Sequence, residues 1–120
     1  MPKTIYLPTY KNSSGYLTVI EKKIKFKIKR VYFINNIKSD RGGHKHKKNI
    51  QFILSISGSC KLTVINKKKR VKKKYNLNKP NKGIILYPDD WHKMTEIRKG
   101  TILLIVASEY FSKKDYIYNE

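Results

Sequence analysis

Two histidines, His44 and His46, stand one residue apart in the stretch RGGHKHKKNIQFILSISG, residues 41–58. On a β-strand, side chains at i and i+2 point to the same face, so the two imidazoles can converge on one pocket. Neutral imidazoles move protons near neutral pH, and they also bind transition-metal ions. The alternative without function is a pair of hydrogen-bonded core residues. The pair therefore marks a candidate site for acid–base chemistry or metal binding.

Four residues have a spacing that resembles the first cupin motif: His44, His46, Gln51 and Gly58. Glutamine stands where that motif usually has glutamate, and a looser second motif ends at His92. A neutral amide in place of a carboxylate weakens the field on a divalent cation, and the flanking lysines weaken it further. We therefore expect no metal ion. The alternative is a metal-dependent cupin enzyme that uses both histidines together with His92 and Gln51.

Apolar and polar residues alternate with a period of two along most of the chain. The stretch 22–34 predicts a strand in which Arg30 and Tyr32 share the inward face with Ile24, Phe26 and Ile28. Inward arginine and tyrosine side chains indicate either a satisfied polar network or a ligand pocket. Further strands are predicted at 50–57 (apolar on both faces), 60–66, 70–77, 84–88 and 100–108. Short strands separated by turns predict an all-β sandwich or small barrel.

Length and composition limit the class of protein. The 120 residues are about one domain, residues 1–120, with a polar and aromatic tail at 109–120 that predicts a turn or short helix. The sequence has no apolar run of about 18 residues, so no membrane span is expected. The N-terminus lacks the apolar core of a signal peptide, and the single cysteine, Cys60, cannot form an intrachain disulfide. These features favour a cytoplasmic protein.

The formal charge of +20, from 28 basic and 8 acidic residues, raises the question of a polyanionic partner. Almost all basic residues are lysines, and alanine occurs once, which indicates a residue bias across the whole chain. Dedicated nucleic-acid binders place arginine at base edges and phosphates. The densest run, at 66–74, is typical of a solvated hairpin. We expect no nucleic-acid partner, and a lysine-driven module that binds nucleic acid or another anion is the alternative.

Five segments, in order, resemble successive blocks of the dTDP-sugar 3,4-ketoisomerases, WxcM-like cupins that act on dTDP-4-keto-6-deoxyglucose: IKRVYFI, RGGHKHKKNIQ, ISGSCKLTV, KGIILYPDDWH and LLIVASEYFSKKDYI. The resemblance runs from about Gly15 to Ile117. It implies a cupin barrel, a double-stranded β-helix or jelly roll, with no cofactor and no metal. It also implies a homodimer, commonly with an exchanged N-terminal strand, for which residues 16–21 are the candidate.

The resemblance implies a reaction that moves the sugar carbonyl from C4 to C3, on the way to a dTDP-3-amino-3,6-dideoxyhexose for surface glycans. Such a move removes a C–H proton, passes through an enediolate and needs positioned bases but no redox cofactor. His44 and His46 are the expected catalytic pair: one abstracts the C3 proton, and the other donates or shuttles. Tyr32 is expected to relay a proton between the two sugar oxygens. The galacto-configured product is the expected one, controlled near Gly15.

The expected substrate contacts are Arg41, Gln51, Arg30, Lys47, Trp91 and Tyr110. The fork of Arg41 matches two oxygens of a pyrophosphate or a developing oxyanion, or else forms a structural salt bridge. Gln51 orients the sugar or a histidine. Trp91 and Tyr110 pack against sugar or thymine, with core packing as the alternative for both.

Overall fold

The computed structural model describes residues 1–120, and all but one of its regular elements are β-strands. The strands are β1 (Lys3–Tyr6), β2 (Thr9–Asn12), β3 (Gly15–Thr18), β4 (Arg30–Ile34), β5 (Arg41–His46), β6 (Gln51–Ser57), β7 (Cys60–Asn66), β8 (Val71–Leu77), β9 (Lys82–Leu86), β10 (Trp91–Thr95), β11 (Ile102–Ala107) and β12 (Tyr116–Ile117). One 3₁₀ turn (Lys113–Asp115) precedes β12. The chain contains no helix with the length and hydropathy needed to cross a bilayer.

Ten of the strands form two five-stranded antiparallel sheets. One has the order β1-β9-β6-β11-β4, the other has the order β12-β5-β10-β7-β8, and β2 pairs with β3 in a separate hairpin. The chain passes back and forth between the two sheets from β4 onwards, which is the connectivity of a jelly roll. This confirms the predicted all-β cupin barrel. Side chains from both sheets meet in a core cluster that includes Ile53, Leu62, Val64, Leu77, Ile84 and Leu103.

Strand β6 is buried on both faces, as its sequence predicted. Its inward side chains join the core between the sheets, while Phe52 and Leu54 belong to a second cluster on the outer face of the first sheet. Three partly buried residues from the irregular segment before β4 cover that outer cluster: Ile20, Ile24 and Phe26. This second layer explains how β6 buries both of its faces.

The strand predicted over residues 22–34 is wrong in its first two thirds, because only Arg30–Ile34 forms a strand. Lys22 has a φ of 62°, which breaks an extended chain, and Ile24 and Phe26 pack on the outer cluster without pairing in a ladder. Tertiary packing therefore overrides the local alternation. The predicted parity does hold within β4, because Arg30 and Tyr32 are half-buried whereas the residues between and after them are exposed.

Gly42, the first of two adjacent glycines near the start of β5, lets this strand approach β10 closely. Gly42 and Gly43 have φ values of 86° and 78°, a region that residues with a Cβ adopt only with strain. A Cβ on Gly42 would lie 2.8 Å from the carbonyl oxygen of His92, whereas a Cβ on Gly43 would meet nothing within 4 Å. The β5–β10 register is irregular at this point, between His92 and Lys93. Gly42 is therefore needed for close packing as well as for its backbone angle.

This difference gives a matched pair of substitutions. Gly43→Ala should lower the free energy of unfolding by about 1–2 kcal/mol, the cost of a left-handed residue with a Cβ. Gly42→Ala should lower it by roughly a further 1–3 kcal/mol, because the backbone of His92 must also move. Urea denaturation of both variants measures the difference. Equal losses would contradict the close approach of β5 to β10.

Candidate active site

Three histidines, which are all the histidines of the chain, meet at the centre of the β5–β10 pair. His44 and His92 are directly opposite each other in the ladder, and His46 follows on the same face of β5. The ring of His44 lies 5.0 Å from that of His46 and 4.8 Å from that of His92, measured between centroids. One nitrogen of each ring that could coordinate a metal ion lies within 4.8 Å of the corresponding nitrogens of the other two rings. We call these residues the histidine cluster.

A cavity of about 510 Å³ opens beside the histidine cluster, between the two sheets. Eight side chains with polar groups line it: Arg30, Tyr32, Asn35, Arg41, His44, Gln51, His92 and Tyr116. Two of them are joined by a hydrogen bond of 3.2 Å, which Gln51 Nε2 donates to Tyr32 Oη. The guanidinium of Arg30 lies over the Tyr32 ring at 4.1 Å from its centroid. The cavity thus combines two guanidinium groups with two phenols, two amides and two imidazoles.

His46 lies behind the cavity wall, where Asp115 holds it in one orientation. Its Nδ1 is 3.0 Å from Asp115 Oδ2, and a carboxylate at this distance selects the tautomer with the proton on Nδ1. The backbone N–H groups of Lys48 and Asn49 donate to the same carboxylate at 2.8 and 3.3 Å. Nε2 of His46 is buried and has no hydrogen-bond partner in the chain. Its lone pair is therefore unsatisfied.

Asp90, which is buried, orients His92 through its backbone. Nδ1 of His92 donates to the backbone carbonyl of Asp90 at 3.1 Å, which leaves Nε2 as the unprotonated nitrogen. The Asp90 side chain accepts bonds of 2.8 Å from Asn66 Nδ2 and from the Tyr87 backbone. Asp90 and Asn66 are almost fully buried, so this network is well shielded from water. It holds the turn before β10 and hence the position of the His92 ring.

The C-terminal tail closes the other side of the cluster. Strand β12 pairs with β5, and Tyr116 is the residue opposite His46. The Tyr116 ring packs at 4.7 Å from that of His44 and 4.6 Å from that of His46. Trp91 Nε1 donates to the Tyr118 carbonyl at 3.3 Å. The tail, predicted as a turn or short helix, is thus a 3₁₀ turn followed by a strand that carries side chains of the site.

Burial keeps the histidines neutral at physiological pH. Desolvation, followed by the charge of His46, lowers the pKa of His44 to about 4. Desolvation, followed by the charge of His44, lowers the pKa of His92 to about 3. The pKa of His46 is also lowered by burial, and Asp115 opposes this shift. Burial, with the neighbouring Tyr116, raises the pKa of Tyr32, so its phenol keeps its proton. The site therefore offers unprotonated imidazoles next to a protonated phenol.

Three of the predicted substrate contacts do not line the cavity. Lys47 is exposed in the turn after β5, and its backbone N–H bonds to the Asp115 carbonyl. Trp91 has the opposite parity to His92 on β10, so its ring faces away from the cavity. Tyr110 is 72% exposed beyond the end of β11. A role for these three side chains in binding stays a prediction.

Four side chains of this region were missing from the predicted site or had a minor place in it. His92 was expected to act only in the metal-dependent alternative, while Asp115, Tyr116 and Phe111 were not singled out at all. All four lie at the cluster or line the cavity. The segment FSKKDYI, which belongs to the blocks that carry the resemblance, was the available signal for the last three.

Comparisons with known proteins agree on one family. The family model described as FdtA, WxcM-like, C-terminal, matches residues 2–120. A curated relative from Aneurinibacillus thermoaerophilus, named TDP-4-oxo-6-deoxy-alpha-D-glucose-3,4-oxoisomerase, is 36% identical over 110 residues. That alignment covers 88% of this chain and 78% of the relative.

Solved structures give the same result. A histidine-to-asparagine mutant of the 3,4-ketoisomerase QdtA from Thermoanaerobacterium thermosaccharolyticum, in complex with TDP-4-keto-6-deoxyglucose, superposes with a TM-score of 0.91 at 34% identity. The match covers 98% of this chain and 87% of that one. The TDP-quinovose 3,4-ketoisomerase WlaRB from Campylobacter jejuni has a TM-score of 0.91 at 31% identity, over 98% of this chain and 92% of its own.

The bond between Asp115 and His46 can be tested without any ligand. An amide has a single acceptor oxygen, so in Asp115→Asn either the His46 ring or a backbone N–H faces an NH₂ donor. We expect a loss of about 1–3 kcal/mol in the free energy of unfolding, measured in urea. The matched control is Asp89→Asn, whose carboxylate bonds to the exposed Lys68 and should contribute less than about 1 kcal/mol. Equal losses in the two variants would contradict a structural role for Asp115.

Proposed function

The chain belongs to the FdtA family of WxcM-like, C-terminal domains, and we propose that it is an isomerase, a 3,4-ketoisomerase that converts TDP-4-keto-6-deoxyglucose into its 3-keto isomer. The observation that carries this proposal is a neutral imidazole, His44, that faces a polar cavity beside two arginines and a tyrosine. The relatives named above are 3,4-oxoisomerases or ketoisomerases of TDP-linked 6-deoxy sugars. The polar cavity, the neutral imidazole and the family of the chain all support the same reaction.

His44 is the better candidate for the base that removes the C3 proton. It lines the cavity, whereas His46 lies behind it and is 3% exposed. The sugar carbonyl at C4 acidifies the neighbouring C3–H bond, and its removal gives an enediolate. Protonation of His44 creates an imidazolium next to His46, whose partner Asp115 supplies a stabilising negative charge. The same imidazolium can return the proton to C4.

The reaction also transfers a proton from the C3 oxygen to the C4 oxygen of the sugar. The C3 hydroxyl loses its proton as it becomes the new carbonyl, and the C4 oxygen gains one as it becomes a hydroxyl. Tyr32 suits this relay because its phenol keeps its proton and is oriented by the hydrogen bond from Gln51. One C–H and one O–H are lost at C3, and one of each is gained at C4. Atoms and electrons therefore balance without a redox partner.

Arg30 and Arg41 give the cavity a charge that suits a nucleoside diphosphate. Both guanidinium groups lie on its wall, and each can donate a bidentate pair of hydrogen bonds to phosphate oxygens. Arg30 also stacks on the Tyr32 ring and lies 5.4 Å from the Phe111 centroid. We assign Arg41 to the pyrophosphate, and Arg30 to the sugar end of the substrate, beside Tyr32.

We extend the proposal to the wider setting of the reaction, for which the resemblance to this family is the support. A 3-keto sugar is the substrate class for amination at C3, so the product would lead to a dTDP-3-amino-3,6-dideoxyhexose for a surface glycan such as an O-antigen, in the cytoplasm. A homodimer with an exchanged N-terminal segment would bury the exposed Tyr10, Tyr16 and Leu17 of the β2–β3 hairpin. Light scattering that gives the mass of a single chain would exclude this dimer.

The activity is tested directly by proton NMR of TDP-4-keto-6-deoxyglucose incubated with the purified chain and a chelator. We expect the carbonyl to move from C4 to C3, because none of the assigned steps uses a metal. The coupling at H4 of the product distinguishes the galacto configuration, which we propose, from the gluco one. A sugar that stays unchanged with the chelator but reacts when a divalent metal is added would favour the metal-dependent cupin enzyme.

A second prediction separates binding from chemistry. Arg41→Gln should raise KM by about tenfold or more, since a charge-assisted hydrogen bond contributes about 1.5–3 kcal/mol, and change kcat much less. The matched control is Arg70→Gln in the exposed turn between β7 and β8, which should leave both constants unchanged. Steady-state kinetics measure the two constants. A fall in kcat with an unchanged KM would move Arg41 from substrate binding to the chemical step.

A further inference from the structure

We propose that the histidine cluster is also a binding site for one divalent transition-metal ion of the zinc or cobalt type, and that this ion inhibits the isomerase. The binding of the ion is independent of the proposed function, whereas its inhibitory effect rests on it. The site would be inhibitory because its ligands include His44, the nitrogen base on which the reaction depends. No step of the isomerisation uses the ion.

The three imidazoles are already close to the geometry that a metal ion needs. One nitrogen from each of His44, His46 and His92 lies within 4.8 Å of the other two. Zinc–imidazole bonds are about 2.0–2.1 Å long, so closure of each ring toward the centre by less than about 1 Å brings the three nitrogens to bonding distance. All three side chains belong to the paired strands β5 and β10, which hold them on one rigid surface. The cavity beside them leaves space for a fourth ligand such as water.

Hydrogen bonds in the protein leave a ring nitrogen of His46 and of His92 unprotonated. His46 and His92 each donate Nδ1–H to an oxygen of the protein, Asp115 Oδ2 and the Asp90 carbonyl respectively. Metal-binding histidines typically show this arrangement, in which the second nitrogen of the ring is fixed by a hydrogen bond and the first presents its lone pair. Nε2 of His46 is buried and has no hydrogen-bond partner, and the residue as a whole is 3% exposed. An ion at the centre of the cluster would satisfy it.

The ligand types and the neighbouring charges determine which ion binds and how strongly. Three neutral imidazoles without a carboxylate suit zinc, cobalt, nickel or copper and disfavour magnesium and calcium, which need oxygen ligands. Arg30 and Arg41 lie on the cavity wall and repel any cation, while Asp115 behind His46 is the nearest compensating charge. The balance favours a reversible site of moderate affinity that a chelator empties.

The metal ion and the C3 proton of the substrate would compete for the same lone pair, that of His44. A nitrogen that coordinates a metal cannot accept the C3 proton of the sugar, so loading the cluster removes the proposed base. Substrate in the cavity and metal in the cluster should therefore exclude each other, and high substrate concentration should relieve the inhibition. Magnesium, which does not suit the cluster, should leave the activity unchanged.

The test uses the chelator-treated, full-length chain and Co²⁺ as a spectroscopic probe. We expect visible d–d absorption that saturates at one equivalent of Co²⁺ and is bleached by Zn²⁺. His92→Ala should lower the affinity at least tenfold, and His92→Asn is the second variant if the first does not fold. Met94→Leu, a substitution beside the cluster that removes no imidazole, should bind as the wild type does. Because the chain has only three histidines, no other imidazole can contribute to the signal.

The activity is measured in parallel with the binding. Inhibition by Zn²⁺ that substrate relieves and chelator reverses supports the proposal. The absence of any d–d band at millimolar Co²⁺, or a band that both His92 variants form with the wild-type affinity, overturns the metal site whatever the activity. A band accompanied by rising activity overturns the inhibitory role. If the chain lacks isomerase activity altogether, the proposed function fails while the Co²⁺ titration still decides the metal site.

Discussion

The Asp115 carboxylate is the contact on which the site depends most. It accepts hydrogen bonds from the His46 ring and from two backbone N–H groups in the turn after β5. In this way the last ten residues of the chain are tied to the strand that carries the histidines, and the pairing of β12 with β5 follows. Tyr116 then packs against His44 and His46 from the adjacent position. A single carboxylate thus sets both the tautomer of one histidine and the closure of the cluster.

The second constraint is that neutral imidazoles are kept in a strongly cationic protein. The chain carries a formal charge of +20, but its lysines are largely confined to exposed positions such as those of the β7–β8 hairpin. Burial and mutual repulsion hold the cluster unprotonated, with the pKa of His44 lowered to about 4 and that of His92 to about 3. Asp115 orients the His46 ring with its carboxylate, and Asp90 orients the His92 ring with its backbone carbonyl. The imidazoles can therefore act as bases even though the protein as a whole is strongly cationic.

Part of this arrangement could be predicted from the sequence. A continuous apolar run predicted β6, and alternation predicted β7, β8 and the inward parity of Arg30 and Tyr32, because each depends on local pattern and burial. Spacing alone put His44 and His46 on one face. The irregular stretch before β4 was mistaken for strand because its apolar residues cover an outer cluster that no local pattern reveals. Asp115 lies 69 residues from His46, and His92 lies across a sheet register that the sequence does not specify.

The central claim is that the neutral imidazole of His44, facing the cavity, removes the C3 proton. Single-turnover conversion of TDP-4-keto-6-deoxyglucose by His44→Asn, measured beside calorimetric binding of TDP to the same variant, tests it most directly. We expect the rate to fall by several orders of magnitude while TDP binds within about threefold of its wild-type affinity, because the side chain contacts the sugar and not the nucleotide. A variant that converts the sugar at the wild-type rate would contradict the claim.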